Sequence, residues 1–169
     1  YIDTGLFLDS RGVRRLIESL SAGKRFLNLF CYTAATSVYA AGGGASFSTS
    51  VDSSKTYCDW AKRNFKTNKL DLSQHQVIQE DCFTWLKSVS WQYDLIFCGP
   101  PTFSNQKDSR FTFDITQDHP TLLLDTAQLL APGGSIIFLS NTKNFTLDTH
   151  ALGEQFTITD RSAATLSPD

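Results

Sequence analysis

The sequence predicts an α/β fold, a mostly parallel β-sheet with helices packed on both faces. Three observations carry that reading. From Arg25 onward, short apolar runs alternate with helix-like segments, the rhythm of strands joined by helical crossovers. Apolar residues between those runs recur at helical spacing. Glycine and proline clusters stand where one element must stop before the next begins.

Taken in order, Val13, Leu16, Ile17 and Leu20 form a stripe that predicts a core-facing helix ahead of the first strand, expected over Arg25 to Phe30. Gly42-Gly43-Gly44 ends the following helix and precedes a strand over Ala45 to Val51. Tyr57, Trp60, Ala61 and Phe65 stripe the next helix, and strands follow at Gln76 to Gln79 and Tyr93 to Cys98. Asn105 to Phe113 reads as a mobile loop. Pro120 falls where a first helical turn is expected, and Leu122, Leu123, Ala127 and Leu130 are that helix's apolar stripe. Pro132-Gly133-Gly134 breaks the chain before a strand at Ser135 to Ser140, and Phe156 to Asp160 reads as a sixth strand. No repeat, low-complexity segment or linker interrupts this series.

The 169 residues, 41% of them hydrophobic, fit one domain spanning residues 1–169. The chain starts at Tyr1 and contains no Met, so it reads as a piece of a longer protein. It has neither the roughly 20-residue apolar run of a membrane span nor the layout of a signal peptide, and a cytoplasmic location is expected. Cys31, Cys58, Cys82 and Cys98 form no Cys-x-x-Cys pair and read as buried reduced thiols, with no metal site expected. Fifteen Lys and Arg against 17 Asp and Glu give a net charge of -2, so any RNA affinity must be local or supplied by another domain.

Ligands of open parallel sheets bind beyond the carboxyl ends of the strands, where the strand order reverses. The first such loop, from Asn28 through Phe30, Cys31, Tyr32, Thr33, Ala34 and Ala35 to Thr36, is rich in small and hydroxylic residues and opens a helix whose N–H groups suit an anionic ligand group. It holds no glycine, and the missing Gly-x-Gly-x-x-Gly excludes a dinucleotide cofactor. The second strand ends in Val51-Asp52-Ser53, where a carboxylate about 20 residues past the first loop suits a bidentate hold on ribose hydroxyls. The plainer alternative for Asp52 is a helix N-terminal carboxylate, and the two roles can coexist. Asp81, before Cys82 and Phe83, is either a helix cap or an acceptor for an adenine amino group with Phe83 packed on the ring. The fourth strand exits through Gly99-Pro100-Pro101-Thr102-Phe103, either a stiff turn or the floor of a reaction site.

With these residues, the ordered set Tyr1 to Arg11, Phe26 to Thr33, Val51-Asp52, Gln79 to Cys82 and Pro100 to Asn105 resembles the C-terminal methyltransferase domain of the bifunctional bacterial large-subunit ribosomal RNA guanine methyltransferases. Cytosine-C5 ribosomal RNA methyltransferases share parts of the pattern. The resemblance implies a Rossmann-like class I methyltransferase fold, S-adenosyl-L-methionine as cofactor, and N7 of a guanine in 23S ribosomal RNA as target, reached with help from another domain. It assigns Asn28, Phe30, Tyr32 and Thr33 to the methionine half, Asp52 with Ser53 to the ribose, and Asp81 with Cys82 and Phe83 to the adenine. Gly99, Pro100, Pro101, Thr102 and Phe103 become the face where the base arrives. Leu8, Asp9 and Arg11 lie in a segment that runs near the cofactor in that family, and Arg11, Arg14 and Arg15 read either as RNA contacts or as a solvated helix face.

Three departures from the family accompany these matches. Gly99 stands where Asp is usual, Ala34 where Gly is usual, and the family's final antiparallel strand has no counterpart before Asp169. The Ala34 methyl is expected to crowd the methionine tail. Methyl transfer from a sulfonium is an in-line displacement that mainly needs alignment, and guanine N7 carries no proton to remove. An exocyclic amine benefits from an acceptor at position 99, and cytosine C5 needs a thiolate that this loop lacks. A ring nitrogen therefore fits best. The second reading, a degenerate fold kept for RNA binding or scaffolding, rests on the same departures.

Overall fold

The computed structural model describes residues 4–105 and 112–165. Elements run in the order α1 (Arg11–Leu20), β1 (Arg25–Leu29), α2 (Ala35–Gly42), β2 (Phe47–Asp52), α3 (Lys55–Thr67), β3 (His75–Gln79), α4 (Cys82–Ser88), β4 (Tyr93–Cys98), β5 (Phe103–Asn105), β6 (Thr112–Asp114), α5 (Ile115–Ala127), β7 (Leu130–Phe138), α6 (Thr149–Leu152) and α7 (Ser162–Thr165). Five strands form one parallel sheet in the order β3-β2-β1-β4-β7. The order reverses between β1 and β4, whose ends meet at Leu29 opposite Cys98. A crevice therefore opens beyond those two strands.

Alternation along each strand sorts the core into two layers. Phe26, Leu95 and Phe97 face Val13 and Ile17 of α1 and Ala40 of α2. Leu27, Leu29, Ile96 and Cys98 face Trp85 and Leu86 of α4 and Ile115 and Leu122 of α5. The expected α/β class with helices on both faces is what the chain adopts. All four cysteines are buried and unpaired.

The middle of β2 is an exception to an apolar interior. Ser48, Thr49 and Ser50 are all buried, and each hydroxyl has a partner. Ser48 Oγ lies 2.9 Å from His75 Nδ1, Tyr93 Oη donates to Thr49 Oγ1 at 2.9 Å, and Ser50 Oγ lies 2.7 Å from Ser37 Oγ. Burial holds the His75 imidazole below its usual range, against a smaller opposite pull from Asp71. The unfolded chain thus binds a proton at His75 more readily than the folded one. His75 is expected to contribute stability that is present above about pH 6.5 and is lost as pH falls toward its lowered folded pKa. Thermal unfolding of His75→Asn, which keeps a partner for Ser48, should lose that portion of the acid-side decline.

Several expectations are corrected. Phe156 to Asp160 forms no strand, and Ile158 is 42% exposed; among the described residues no strand follows β7, which is the sheet's edge. Pro120 lies inside α5, which starts at Ile115 on an Asp114 cap whose side chain accepts from Thr116 N. The prediction placed the helix start too late because Asp114 caps better than any residue near Pro120. Asn105 and Thr112-Phe113 belong to an antiparallel pair, β5 and β6, not to a loop, and residues 106–111 lie outside the described ones. Pro132-Gly133-Gly134 does not precede the strand: β7 runs through it, with Tyr93 opposite Leu130 and then Leu95 opposite Ser135. The extra residues bulge out there, since proline has no N–H for the ladder. On α1 the buried positions are Val13, Arg14 and Ile17, while Leu20 is 38% exposed.

Candidate cofactor site

The loop leaving β1 has an unusual backbone. Phe30, Tyr32 and Ala34 all have positive φ, at 56°, 53° and 55°. Left-handed geometry costs a residue with a Cβ about 1–2 kcal/mol, so the loop holds its shape only because surrounding groups fix it. Cys31 N donates to Val51 O at 3.0 Å, and Phe30 N donates to Cys82 Sγ at 3.2 Å. Thr33 Oγ1 donates to Gly5 O at 2.6 Å, Gly5 N donates to Tyr32 Oη at 3.0 Å, and Asn64 Nδ2 donates to Thr33 O at 2.9 Å.

Asp52, at the end of β2, is the strongest of these ties. Tyr32 N donates to its Oδ2 at 2.8 Å and Ser54 N to its Oδ1 at 2.9 Å. The cap of α3 is Ser54, whose Oγ accepts from Tyr57 N at 3.3 Å, so Asp52 is not spent as that helix's cap. An ionised carboxylate offers about four acceptor positions and two are used, which leaves one on each oxygen for a vicinal diol. Burial raises the Asp52 carboxyl above the usual range, with the Ser54 bond opposing. Ser53 beside it is exposed.

The remaining predicted residues fall into distinct surroundings. Asp81 caps α4: Thr84 N reaches its Oδ1 at 2.9 Å and Thr84 Oγ1 reaches the same atom at 3.1 Å, so the capping role is present and Oδ2 is left over. Phe83 meets Phe30 edge-on at 5.6 Å and Phe113 at 5.0 Å between centroids. The Cys82 thiol is turned into the core, where burial pushes its pKa well up. Asn28 is also internal, with Nδ2 donating to Ser37 Oγ at 2.8 Å, in line with the Ser37 to Ser50 contact. Leu8 and Phe103 are 68% and 63% exposed. Asp9, Arg11 and Pro101 are exposed as well, and Thr102 Oγ1 lies 3.3 Å from Thr142 Oγ1.

A cavity of about 90 Å³ sits at the strand-order reversal and gathers Phe30, Tyr32 and Thr33 from the first loop with Gly99 and Pro100 from the β4 exit. It also takes Arg14, expected as an RNA contact or part of a solvated helix face, Thr36, expected at the end of the first loop, and Asn141, which sequence reasoning passed over. For Arg14 a signal existed: it lies next to Val13 and three residues before Ile17, on the buried side of α1. Asn141 follows the last strand and had none. A Cβ on Gly99 would stand 3.0 Å from Phe97 Cζ, so an aspartate there needs the Phe97 ring to give way.

Ala34 does not line this cavity. Its methyl is fully buried in a cluster with Cys31, Ala61 and Phe65, so it faces the core rather than a ligand. The expected crowding of the methionine tail is not seen. Replacing Ala34 with Gly relieves about 1–2 kcal/mol of left-handed strain but gives up about 0.8 kcal/mol of buried methyl and gains unfolded-state entropy. Ala34→Gly is therefore expected to shift unfolding stability by less than about 1 kcal/mol and to leave cofactor affinity within about twofold, measured by denaturation and calorimetry.

A profile of the S-adenosylmethionine-dependent methyltransferases matches residues 1–166. The chain belongs to that family. Among curated relatives it is 51% identical over 169 residues to the ribosomal RNA large subunit methyltransferase K/L of Chromohalobacter salexigens, and 50% identical over 171 residues to that of Allochromatium vinosum. Each match covers all of this chain and only 23% of the relative, so the chain spans about a quarter of their length. The crystal structure of a methyltransferase complexed with SAH superposes with a TM-score of 0.79 at 36% identity, over 89% of this chain and 40% of that one. As a methyltransferase of this family the chain uses S-adenosylmethionine. No described helix is long and apolar enough to cross a membrane, and no metal-holding cluster occurs among the described residues.

Proposed function

We propose that this domain methylates N7 of a guanine in large-subunit, 23S ribosomal RNA, the RNA being held partly by another domain of the parent protein. The observation that carries the reading is the pairing of the Asp52-braced loop with a β4 exit, Gly99-Pro100-Pro101, that has no ionisable side chain. S-adenosylmethionine bound there supplies the methyl group. In this reading Asp52 accepts from the ribose hydroxyls, the Oδ2 of Asp81 accepts from the adenine amino group, and the strained Phe30 to Thr33 backbone holds the amino-acid end. Pro100 and Pro101 keep the incoming base in place through a backbone fixed in φ.

Without a carboxylate at position 99 the face offers no acceptor for the proton of an exocyclic amine, whereas a ring nitrogen presents a lone pair. The thiol of Cys98 is fully buried, and burial pushes its pKa to about 12, which argues against a thiolate route to a cytosine carbon. The relatives' printed name, with the match over the whole of this chain, supports ribosomal RNA as the substrate class.

The test is methylation of unmodified large-subunit ribosomal RNA by the full-length protein, followed by nucleoside mass spectrometry. 7-Methylguanosine dependent on Asp52 is the expected product. N2-methylguanosine formed by this domain, with the partner domain inactivated, overturns the N7 assignment. Absence of any product together with absence of cofactor binding supports a degenerate fold instead.

A further inference from the structure

Four cations crowd the far end of α3. Lys62, Arg63, Lys66 and Lys69 fall within eight residues that contain no acid, in a chain whose net charge is -2. All four are exposed, and together with Leu70 and the 48% exposed Leu72 they line an open depression of about 530 Å³. The acids nearby are engaged elsewhere. Asp59, the single acid of α3, accepts from Lys55 Nζ at 2.8 Å, and Asp71 at the rim accepts from Ser73 N at 2.8 Å. Among the described residues none of the four cations forms an ion pair.

This clustering costs the helix something. Lys62 and Lys66 stand four apart and Arg63 and Lys66 three apart, spacings at which like charges repel along a helix. The helix dipole favours cations at the C-terminal end, which accounts for Lys66 and Lys69 but not for Lys62 and Arg63 one turn earlier. Lys69 adds strain of its own. It has φ 57° just past the helix, where Leu70 N donates back to Phe65 O at 3.0 Å, a position that usually holds glycine.

We propose that this face of α3 is a docking surface for the phosphate backbone of the ribosomal RNA substrate, separate from the crevice that receives the base. The proposal rests on the ribosomal RNA reading of the function. Charge complementarity carries it, because a polyanion brings the counter-charges that the four cations lack and relieves their mutual repulsion. The cations are spread along two turns of helix rather than converging on one point, which suits a chain of phosphates and not a single anion. An apolar floor at Leu70 and Leu72 accommodates lysine stems and leaves the ammonium groups for the ligand. Position agrees as well. The helix starts three residues after Asp52, so Lys62 and Lys66 lie roughly 10 and 16 Å along it from the crevice end, a span that a structured RNA covers. Contacts of this kind hold the RNA in register and carry no base preference.

The test uses the full-length protein with unmodified large-subunit ribosomal RNA, measuring RNA affinity across salt concentrations and the kinetics of methylation by this domain. The triple variant Lys62→Gln, Arg63→Gln, Lys66→Gln is expected to weaken RNA binding by about 10–100-fold near physiological salt and to flatten the dependence of log affinity on log salt by roughly 2–3. KM for RNA should rise with it, while kcat at saturating RNA and affinity for S-adenosylhomocysteine stay within about twofold. Lys69→Gly should weaken RNA binding by about 2–5-fold without lowering the unfolding midpoint, a combination that a purely structural role does not give. Lys24→Gln with Lys87→Gln removes charge elsewhere and should leave RNA affinity within about twofold. If the triple variant binds RNA no more weakly than this control, the docking proposal is overturned, whereas the ribosomal RNA reading stands as long as the wild type still methylates. If the triple variant keeps its RNA affinity but scattering shows the domains of the protein moving apart, the face covers an acidic surface of the protein itself, and the proposal is overturned. A wild type that neither binds nor methylates the RNA overturns both readings.

Discussion

Asp52→Ala is expected to weaken S-adenosylhomocysteine binding by about 100-fold or more, the largest loss from any single side chain in the site. Two effects combine. The charge-assisted bonds to ribose hydroxyls proposed for Asp52 disappear, each worth about 1.5–3 kcal/mol, or roughly 10–150-fold. The donors Tyr32 N and Ser54 N also lose their acceptors at 2.8 and 2.9 Å, and with them the left-handed loop loses its brace. Asp52→Asn keeps one acceptor oxygen and should fall between wild type and Ala. The pH dependence has a defined sign. Because burial raises the folded carboxyl above its ordinary value, acidification protonates Asp52 earlier than an exposed aspartate. Cofactor affinity should therefore start to fall on the acid side while most surface carboxylates are still charged. The same raised pKa means that Asp52 does not itself cause loss of folding stability on acidification; its folded form takes up a proton more readily than its unfolded one. Calorimetric titration across that pH range, with Asp52→Asn flat by comparison, checks the assignment.

His119→Ala is expected to cost about 3–5 kcal/mol of stability, lowering the unfolding midpoint by roughly 10 °C. The ring is 1% exposed and joins two segments: Nδ1 lies 2.7 Å from Ile115 O one turn back on α5, and Asp148 N donates to Nε2 at 2.9 Å. Those partners set the tautomer, with the proton on Nδ1. Phe138 and Phe145 pack around it, with the Phe145 centroid 4.9 Å away. Alanine leaves a cavity in that cluster and takes the acceptor away from the Asp148 N–H. His119→Phe fills most of the volume without accepting from Asp148, so it should recover the packing portion only. Denaturant unfolding of the two variants separates the two contributions. Thr142, on the segment this histidine anchors, touches Thr102 of the β4 exit, so the variants should also loosen that exit.

Much of the candidate site was legible because parallel sheets put their ligands at fixed places in the chain order. Once Arg25 to Phe30 and Tyr93 to Cys98 are strands, Phe30 to Thr33 and Gly99 to Phe103 are the loops at the reversal, and Asp52 is the acid that ends the neighbouring strand. Each of these positions follows from a count along the chain. What misled was information carried by partners distant in sequence. Phe156 to Asp160 is apolar enough for a strand but has nothing to pair with among the described residues, and pairing is not a local property. Pro132-Gly133-Gly134 looked like a stop, yet the neighbouring β4 ladder resumes beyond it and leaves it as a bulge. At Asp81 and Asp52 the protein partners became known only with the structure. Thr84 N claims Asp81 as a cap, while Tyr32 N, 20 residues away, ties Asp52 to the loop leaving β1.

By itself, then, the sequence determined the α/β class, the order of most strands and helices, the exclusion of a dinucleotide loop, and the family. These depend on residue periodicity, on the presence or absence of glycine, and on motif order, all of them local. Only the tertiary structure decided that the Ala34 methyl faces Ala61 and Phe65 rather than a ligand, and that Arg14 is buried at the cavity instead of lying on a solvated helix face. The physical reason is the same for both. A side chain's surroundings are set by elements that arrive from elsewhere in the chain: α3 packs over Ala34, and the Phe7 segment and α2 close over Arg14.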